Sequence, residues 1–225
     1  MKNLTRLLIF TAVVAVIMFL VSAWAWQQIP AGEQVPVHWN AAGEADRFGS
    51  KFEGLLLMPI IMVVVMGVVA AVTFIEPKRR NLLQSHRAFG AFWIAISLFF
   101  LMLHVTMTLI TLGYAIPINI AISVGLGLLF IVIGNFLGKI RSTYTFGIRT
   151  PWTLDSELSW NKTHRLGGKL FMLAGVATLL SGLFFDGEIL VVVMLVSILG
   201  AALVSTVYSY FVWKQDPEIQ AREAA

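Results

Sequence analysis

Six long apolar stretches separated by polar connections dominate the pattern of the chain: residues 7–26, 55–75, 88–112, 118–137, 170–185 and 189–213. A helix rises 1.5 Å per residue, so a hydrocarbon core about 30 Å thick needs about 20 apolar residues. The fifth run is short unless it begins at Gly167. The runs are too uniformly apolar for alternating barrel strands, and in lipid only a helix satisfies every backbone group within one segment. The pattern therefore predicts an all-α integral membrane protein: a six-transmembrane-helix bundle with one long extracytoplasmic loop and one long cytoplasmic loop.

Composition agrees. The 225 residues are 58% hydrophobic and 12% charged, against about 25% charged in soluble domains, and the mean hydropathy is +0.84. The chain has no cysteine, which removes disulfides, thiolate zinc sites, iron–sulfur clusters and cysteine nucleophiles. The first run has a second reading, because Lys2 and Arg6 precede it and Ala23-Trp24-Ala25 follows, as in a cleaved signal peptide. Trp24 and Trp26 suit an interfacial aromatic belt and favour a retained first membrane helix.

Charge placement sets the expected orientation. With the N-terminus inside, 14 of the 16 Lys and Arg residues fall on the cytoplasmic side and only Arg47 and Lys51 outside. Both termini are thus expected in the cytoplasm. The net charge of +4 is spread between spans, so the expected partner is membrane lipid, with no direct nucleic-acid contact. The chain is expected to divide into two parts: residues 1–87, a two-helix hairpin with the outward loop, and 88–225, a four-helix module with the inward loop and a short tail.

Both loops carry candidate chemistry. The outward one, residues 27–54, is acidic, with Glu33, Glu44, Asp46 and Glu53 against Arg47 and Lys51. Val35 to Asn40 reads as extended, Ala41 to Glu44 as a turn, and Asp46 to Lys51 as the return. It forms either a recognition hairpin, a small metal site on His38, Glu44 and Asp46, or a cap with Trp39 and Phe48 at the lipid headgroups. The inward loop, residues 139–169, holds six basic residues against Asp155 and Glu157. A helical stretch over residues 156–166, capped by Thr153, Asp155 or Ser156, puts Glu157, Trp160 and His164 on one face. It reads as an amphipathic inner-leaflet helix with Trp152 and Trp160 at the interface, or as a buried Glu–His cluster. Inside the spans, His104 lies near Thr106, Thr108 and Thr111, as a relay or as a neutral histidine bonded to a hydroxyl or carbonyl. Asn135, with Gly134 and Gly138, reads as helix-packing contact.

The outward motif Pro36-x-His38-Trp39-Asn40-x-x-Gly43-x-x-Asp46-x-x-Gly49-Ser50-Lys51 resembles that of the SdpI-type immunity protein family. The inward segment Gly147-Ile148-Arg149-Thr150-Pro151-Trp152-Thr153-Leu154-x-Ser156-x-x-x-Trp160-x-x-Thr163-His164 is similar to the same family's second signature. The two appear in order, and the resemblance runs from about Gln28 to the last span. Where that family often carries Asn before Gly-Ile-Arg, this chain has Ser142-Thr143-Tyr144. The resemblance implies a multi-pass immunity protein of a bacterial-type cell membrane, not an enzyme, that protects its cell against a secreted toxin peptide or protein. It also implies a sensor that retains a cytoplasmic autorepressor at the membrane. Pro36, His38, Trp39, Asn40, Gly43, Asp46, Phe48 and Lys51 would then form the toxin-facing motif. Gly147, Arg149, Thr150, Pro151, Trp152, Trp160, Thr163 and His164 would form the cytoplasmic one. No catalytic residue, cofactor or metal is expected. The rival readings are a membrane metal-dependent enzyme using His38 with Asp46 or His164 with Glu157, and a solute or proton-coupled transporter using His104.

Overall fold

The computed structural model describes residues 2–224, Lys2 by its backbone only. Six long helices account for the apolar runs: α1 (Lys2–Gln28), α2 (Leu57–Phe74), α4 (His86–Thr111), α5 (Ile118–Leu137), α7 (Glu157–Phe184) and α8 (Gly187–Lys214). A π-helical turn, Phe52–Leu56, leads into α2 and extends that span to 23 residues. Each is long and apolar enough to cross a bilayer, and the chain is a multi-pass membrane protein. Three short helices, α3 (Arg79–Gln84), α6 (Pro151–Asp155) and α9 (Pro217–Glu223), lie in the polar connections. Among the described residues the β structure is one antiparallel hairpin, β1 (Val35–Trp39) with β2 (Ala45–Gly49).

The burial pattern is inverted relative to a water-soluble domain. Leu20, Val64, Leu173 and Leu199 point outward, whereas Ser22, Ser97, Ser123, Thr178 and Ser205 are fully buried. Lipid solvates the apolar groups as well as a core would, so the interior goes to small and hydroxyl-bearing residues that let helices approach and bond. On one side, α1, α2 and α4 meet around Val14, Met18, Met62, Met66 and Trp93. The indole of Trp93 donates to Thr11 Oγ1 at 2.7 Å, tying α4 to α1. On the other side α5, α7 and α8 pack together, and α4 touches both groups through α1, α2 and α5.

The closest approach is between α5 and α7. Gly127 faces Gly175 and Gly134 faces Gly168 in antiparallel register. A Cβ on Gly127 would lie 2.8 Å from the Gly175 carbonyl oxygen, and one on Gly134 2.5 Å from that of Gly168. The contact explains why Gly167-Gly168 does not interrupt its helix. The expected separate amphipathic helix over 156–166 and short fifth span are one continuous helix of 28 residues. One face of its polar first half, Ser159, Trp160, Thr163 and His164, is walled by the 137–150 segment and α8, while Glu157, Lys162 and Arg165 stay exposed on the other as the amphipathic pattern expects. Gly134 makes the packing contact expected of its neighbourhood, but Asn135 is exposed on the outer face of α5, one residue round the helix from the glycine stripe.

Candidate functional site

The signature segment begins with a capping box. Thr150 accepts from the Thr153 amide at 3.1 Å, and Thr153 Oγ1 accepts from the Thr150 amide at 2.9 Å. Pro151 fills the first helical position, where no amide is needed. Thr150 Oγ1 also lies 2.9 Å from Ser209 Oγ on α8. Ser156 starts α7 by accepting from the Ser159 amide at 2.9 Å, and it donates to the buried carboxylate of Asp216. Asp216 in turn caps α9 through the Glu218 amide at 3.0 Å. The tail beyond α8 is thereby fastened to the start of α7.

Trp160, Thr163 and His164 are essentially inaccessible. A carbonyl only accepts and a backbone amide only donates, which fixes the imidazole. His164 Nδ1 donates to the Trp160 carbonyl at 2.8 Å, and Nε2 accepts from the Ile148 amide at 2.9 Å. The ring stacks on the Trp160 indole with centroids 4.0 Å apart, and that indole donates to the Ile140 carbonyl at 2.8 Å. Gly147, at φ +118°, passes directly over the pair: a Cβ there would sit 2.5 Å from His164 Nε2. Trp160 is thus a core residue rather than an interfacial one. Glu157 is exposed, so the Glu–His cluster does not form; both imidazole nitrogens are committed to the backbone. Trp152 is half-buried against Tyr210, and Arg149 and Pro151 are exposed.

A carboxylate that sequence reasoning missed organises the same loop. Glu76, only 4% exposed, accepts at Oε1 from the amides of Lys78 (2.8 Å) and Tyr144 (3.2 Å). At Oε2 it accepts from the amide (2.9 Å) and hydroxyl (2.5 Å) of Thr145. Burial alone would raise its pKa, but these bonds, the Thr145 hydroxyl first, outweigh it and hold the carboxyl below its ordinary value. Lys78 Nζ donates to Ser142 Oγ at 2.8 Å, Asn81 to the Ser142 carbonyl at 2.8 Å, and Arg149 to the Tyr144 carbonyl at 2.9 Å. The Ser142-Thr143-Tyr144 stretch is therefore the seam between the α2–α3 connection and the signature.

At the opposite end of the bundle the hairpin forms where the extended-turn-extended pattern places it. Gly43, at φ +82°, closes the turn with its amide donating to the Asn40 carbonyl at 2.9 Å. Pro36 pairs with Phe48 across the ladder. The hairpin stands on an apolar foot, Val35 with Ala25, Ile29 and Leu55. Its turn is latched by Asn119 of α5, whose amide group donates to the Ala41 carbonyl at 2.8 Å. Lys51 reaches the last carbonyls of α1, those of Trp26 (3.3 Å) and Ile29, and lies over the Trp26 ring, a cation where a helix C-terminus favours one. His38, Asp46 and Phe48 remain exposed and Trp39 and Asn40 half-buried. His38 Nδ1 is 2.6 Å from Asp46 Oδ1. Glu44 instead bonds Asn40, and among the described residues no three groups of metal-ligand type converge.

Comparison with known proteins places these segments. Residues 139–209 match the model of the SdpI/YfhL protein family. Over this segment the chain is similar to that family. Residues 13–63, from within α1 through the hairpin and into α2, match a domain of unknown function, DUF1648. The chain is also 28% identical over 208 residues to Immunity protein SdpI of Bacillus subtilis (strain 168), covering 92% of this chain and 96% of that protein. No solved structure matches. The matched segment begins at Lys139, just before the Glu76-bound seam, and ends at Ser209, the residue bonded to Thr150.

Outside that region, His104 is fully buried, and its Nε2 lies 3.1 Å from both Ser22 Oγ and the Met18 carbonyl of α1. Ser22 also donates to the Leu55 carbonyl at 2.6 Å. The histidine bonded to a hydroxyl and a carbonyl is the arrangement found, and it rivets α4 to α1 and to the entry of α2. His104 Nδ1 has no hydrogen-bond partner among the described residues. Glu76 gave one usable signal in the sequence, an acidic residue at the end of an apolar run beside Pro77 and three basic residues.

Proposed function

We propose that the protein is a membrane immunity protein that gives a bacterial cell resistance to a secreted peptide or protein toxin. The observation that carries this reading is the match along almost the whole chain to Immunity protein SdpI, with both motif segments inside it. In this reading the protein is a binding protein without catalytic activity. Both termini and the signature loop lie in the cytoplasm, as the distribution of Lys and Arg favours, and the hairpin faces outward. Its exposed side is suited to recognition: Phe48 and half-buried Trp39 supply apolar contact, while His38 and Asp46 supply polar groups on a backbone latched at both ends. On the other side, Arg149 projects from a seam fixed by Glu76, where a cytoplasmic autorepressor would be retained. The two activities are linked only if toxin binds one bundle arrangement more tightly than another.

The test is survival of a toxin-sensitive bacterium expressing the protein, challenged with secreted killing peptides, with Phe48→Ala, Trp39→Ala and Arg149→Ala at matched membrane abundance. Wild-type protection, lost in Phe48→Ala or Trp39→Ala and kept in Arg149→Ala, supports the reading with the hairpin as the recognition face. Absence of wild-type protection across the peptides would sink the immunity function.

A further inference from the structure

A cavity of about 470 Å³ opens at the basic end of the bundle, where α1 begins, α2 ends and α3 leads into α4. Its lining includes no residue of the signature loop, although Phe89 of α4 lines it and also meets Phe146 edge-on, with centroids 5.7 Å apart. Asn3, Thr5, Arg79 and His86 stand at the level of the helix ends. Leu8, Phe74 and Phe89 wall the deeper part. From Asn3 to Leu8 the α1 wall descends about 7 Å toward the middle of the membrane. Leu8, Phe74 and Leu83 are exposed large apolar residues, so the cavity is open sideways to the surrounding hydrocarbon.

Charge at the rim is of one sign. The described residues form three ion pairs, and none involves Arg6, Arg79, Arg80 or Arg87. No carboxylate is among the described lining residues. The nearby acid, Glu76, is turned away and saturated by the 144–145 amides and the Thr145 hydroxyl. His86 Nδ1 faces the Leu83 carbonyl at 3.0 Å, which leaves Nε2 directed elsewhere.

We propose that this cavity is a binding site for one anionic phospholipid, with its phosphate at Arg79 and the upper part of an acyl chain between α1 and α2. The apolar walls select an amphiphile over a soluble anion, and the lateral opening admits it from the bilayer. Unpaired cations at headgroup depth favour an anionic over a zwitterionic headgroup. The volume falls within that of ordinary small-molecule sites. Retention of this lipid would brace the α2–α3–α4 connection, whose Arg79, Leu82, Leu83 and His86 line the cavity.

The experiment is native mass spectrometry of the full chain, delipidated in mild detergent and titrated with dioleoyl phosphatidylglycerol or dioleoyl phosphatidylcholine. The expected result is one phosphatidylglycerol retained in preference to phosphatidylcholine, with Arg79→Ala weakening that preference about fivefold and His86→Ala leaving it in place. These side chains are exposed and their removal leaves the packing intact. Leu8→Trp, which fills the cavity without touching charge, should abolish retention of either lipid there. Lys139→Ala with Lys169→Ala, a basic pair elsewhere on the chain, should change nothing. Equal retention of the two lipids, an equal loss in the Lys139 and Lys169 control, or full displacement by inorganic phosphate would overturn the proposal.

Discussion

Replacing Glu76 by Gln is the sharpest test of how the signature loop is held. The carboxylate accepts two bonds at each oxygen, from Lys78 and Tyr144 at one and from the amide and hydroxyl of Thr145 at the other. Gln keeps the shape but turns one oxygen into a donor, so two protein donors then face an NH2 group. The Thr145 hydroxyl can rotate and accept, which relieves one conflict; a backbone amide cannot. One charge-assisted bond is therefore lost without compensation, about 1.5–3 kcal/mol. That energy should appear as local opening of the seam rather than global unfolding, because α5, α7 and α8 do not depend on Glu76. Hydrogen exchange of the 144 and 145 amides should accelerate about 10- to 150-fold, while the Ile148 amide, held by His164, keeps its wild-type rate. Unchanged exchange at 144 and 145 would refute the cradle as the element that orders this loop.

The remaining predictions use the same bookkeeping. Because the folded Glu76 carboxyl titrates below its ordinary value of 4.5, its stabilising effect is present above that pH and lost as pH falls through the folded value. Melting of the wild type in detergent should therefore weaken below pH 4.5 more steeply than melting of Glu76→Gln. Gly134→Val drives a side chain into the Gly168 backbone and should cost about 1–3 kcal/mol or more. Gly67→Ala, with open space around its Cβ position, should be neutral or stabilising in the same thermal assay. Gly147→Ala combines a positive φ with a clash on His164, and an unfolding midpoint equal to wild type would contradict the stacked geometry. Asp46→Asn breaks an exposed pair and should change stability by less than about 1 kcal/mol, so any loss of protection it causes reports recognition at the hairpin.

Much of the frame was legible because its causes are local. Apolar run length gave the spans, Val35 to Lys51 the hairpin, and Ser156, one of three candidate caps, the start of α7, whereas the Thr150-Pro151 start of α6 went unread. The helix over 156–166 misled because its charged residues, Lys162 and Arg165, are indeed exposed, while the neighbouring Trp160 and His164 stack inward against Gly147. A helical wheel shows which residues share a face but not what covers it. Glu76 and His104 depend on partners far away in sequence, Thr145 and Ser22, and no period or motif marks such a pair. The α5–α7 glycine contact lay between these cases. Gly127 and Gly134, and Gly168 and Gly175, each repeat at seven residues, two helical turns, yet the antiparallel pairing becomes visible only when both helices are placed together.

A ligand on the hairpin has two physical routes toward the signature loop, and they differ in what they can carry. One runs through Asn119 into α5, whose far end meets Trp160 through the Ile140 carbonyl. It starts at a single neutral hydrogen bond worth about 0.5–1.5 kcal/mol, so a stronger pull unlatches the turn before it moves a helix pair locked by two glycine contacts. The other runs through the buried foot, where Val35 packs with Leu55 at the start of α2, and emerges at the end of α2 in Glu76. Its first contact is apolar packing shared with Ala25 and Ile29, and its last is a carboxylate holding the 144–145 backbone. Shifting a two-state equilibrium from 1:99 to 99:1 takes about 5.5 kcal/mol of differential binding. A latch limited to about 1.5 kcal/mol falls short of that, so a switch of this size would have to travel mainly along α2. Asn119→Ala should then blunt the response only slightly, while Glu76→Gln, which cuts the α2 route at its last bond, should uncouple the two ends with the hairpin intact.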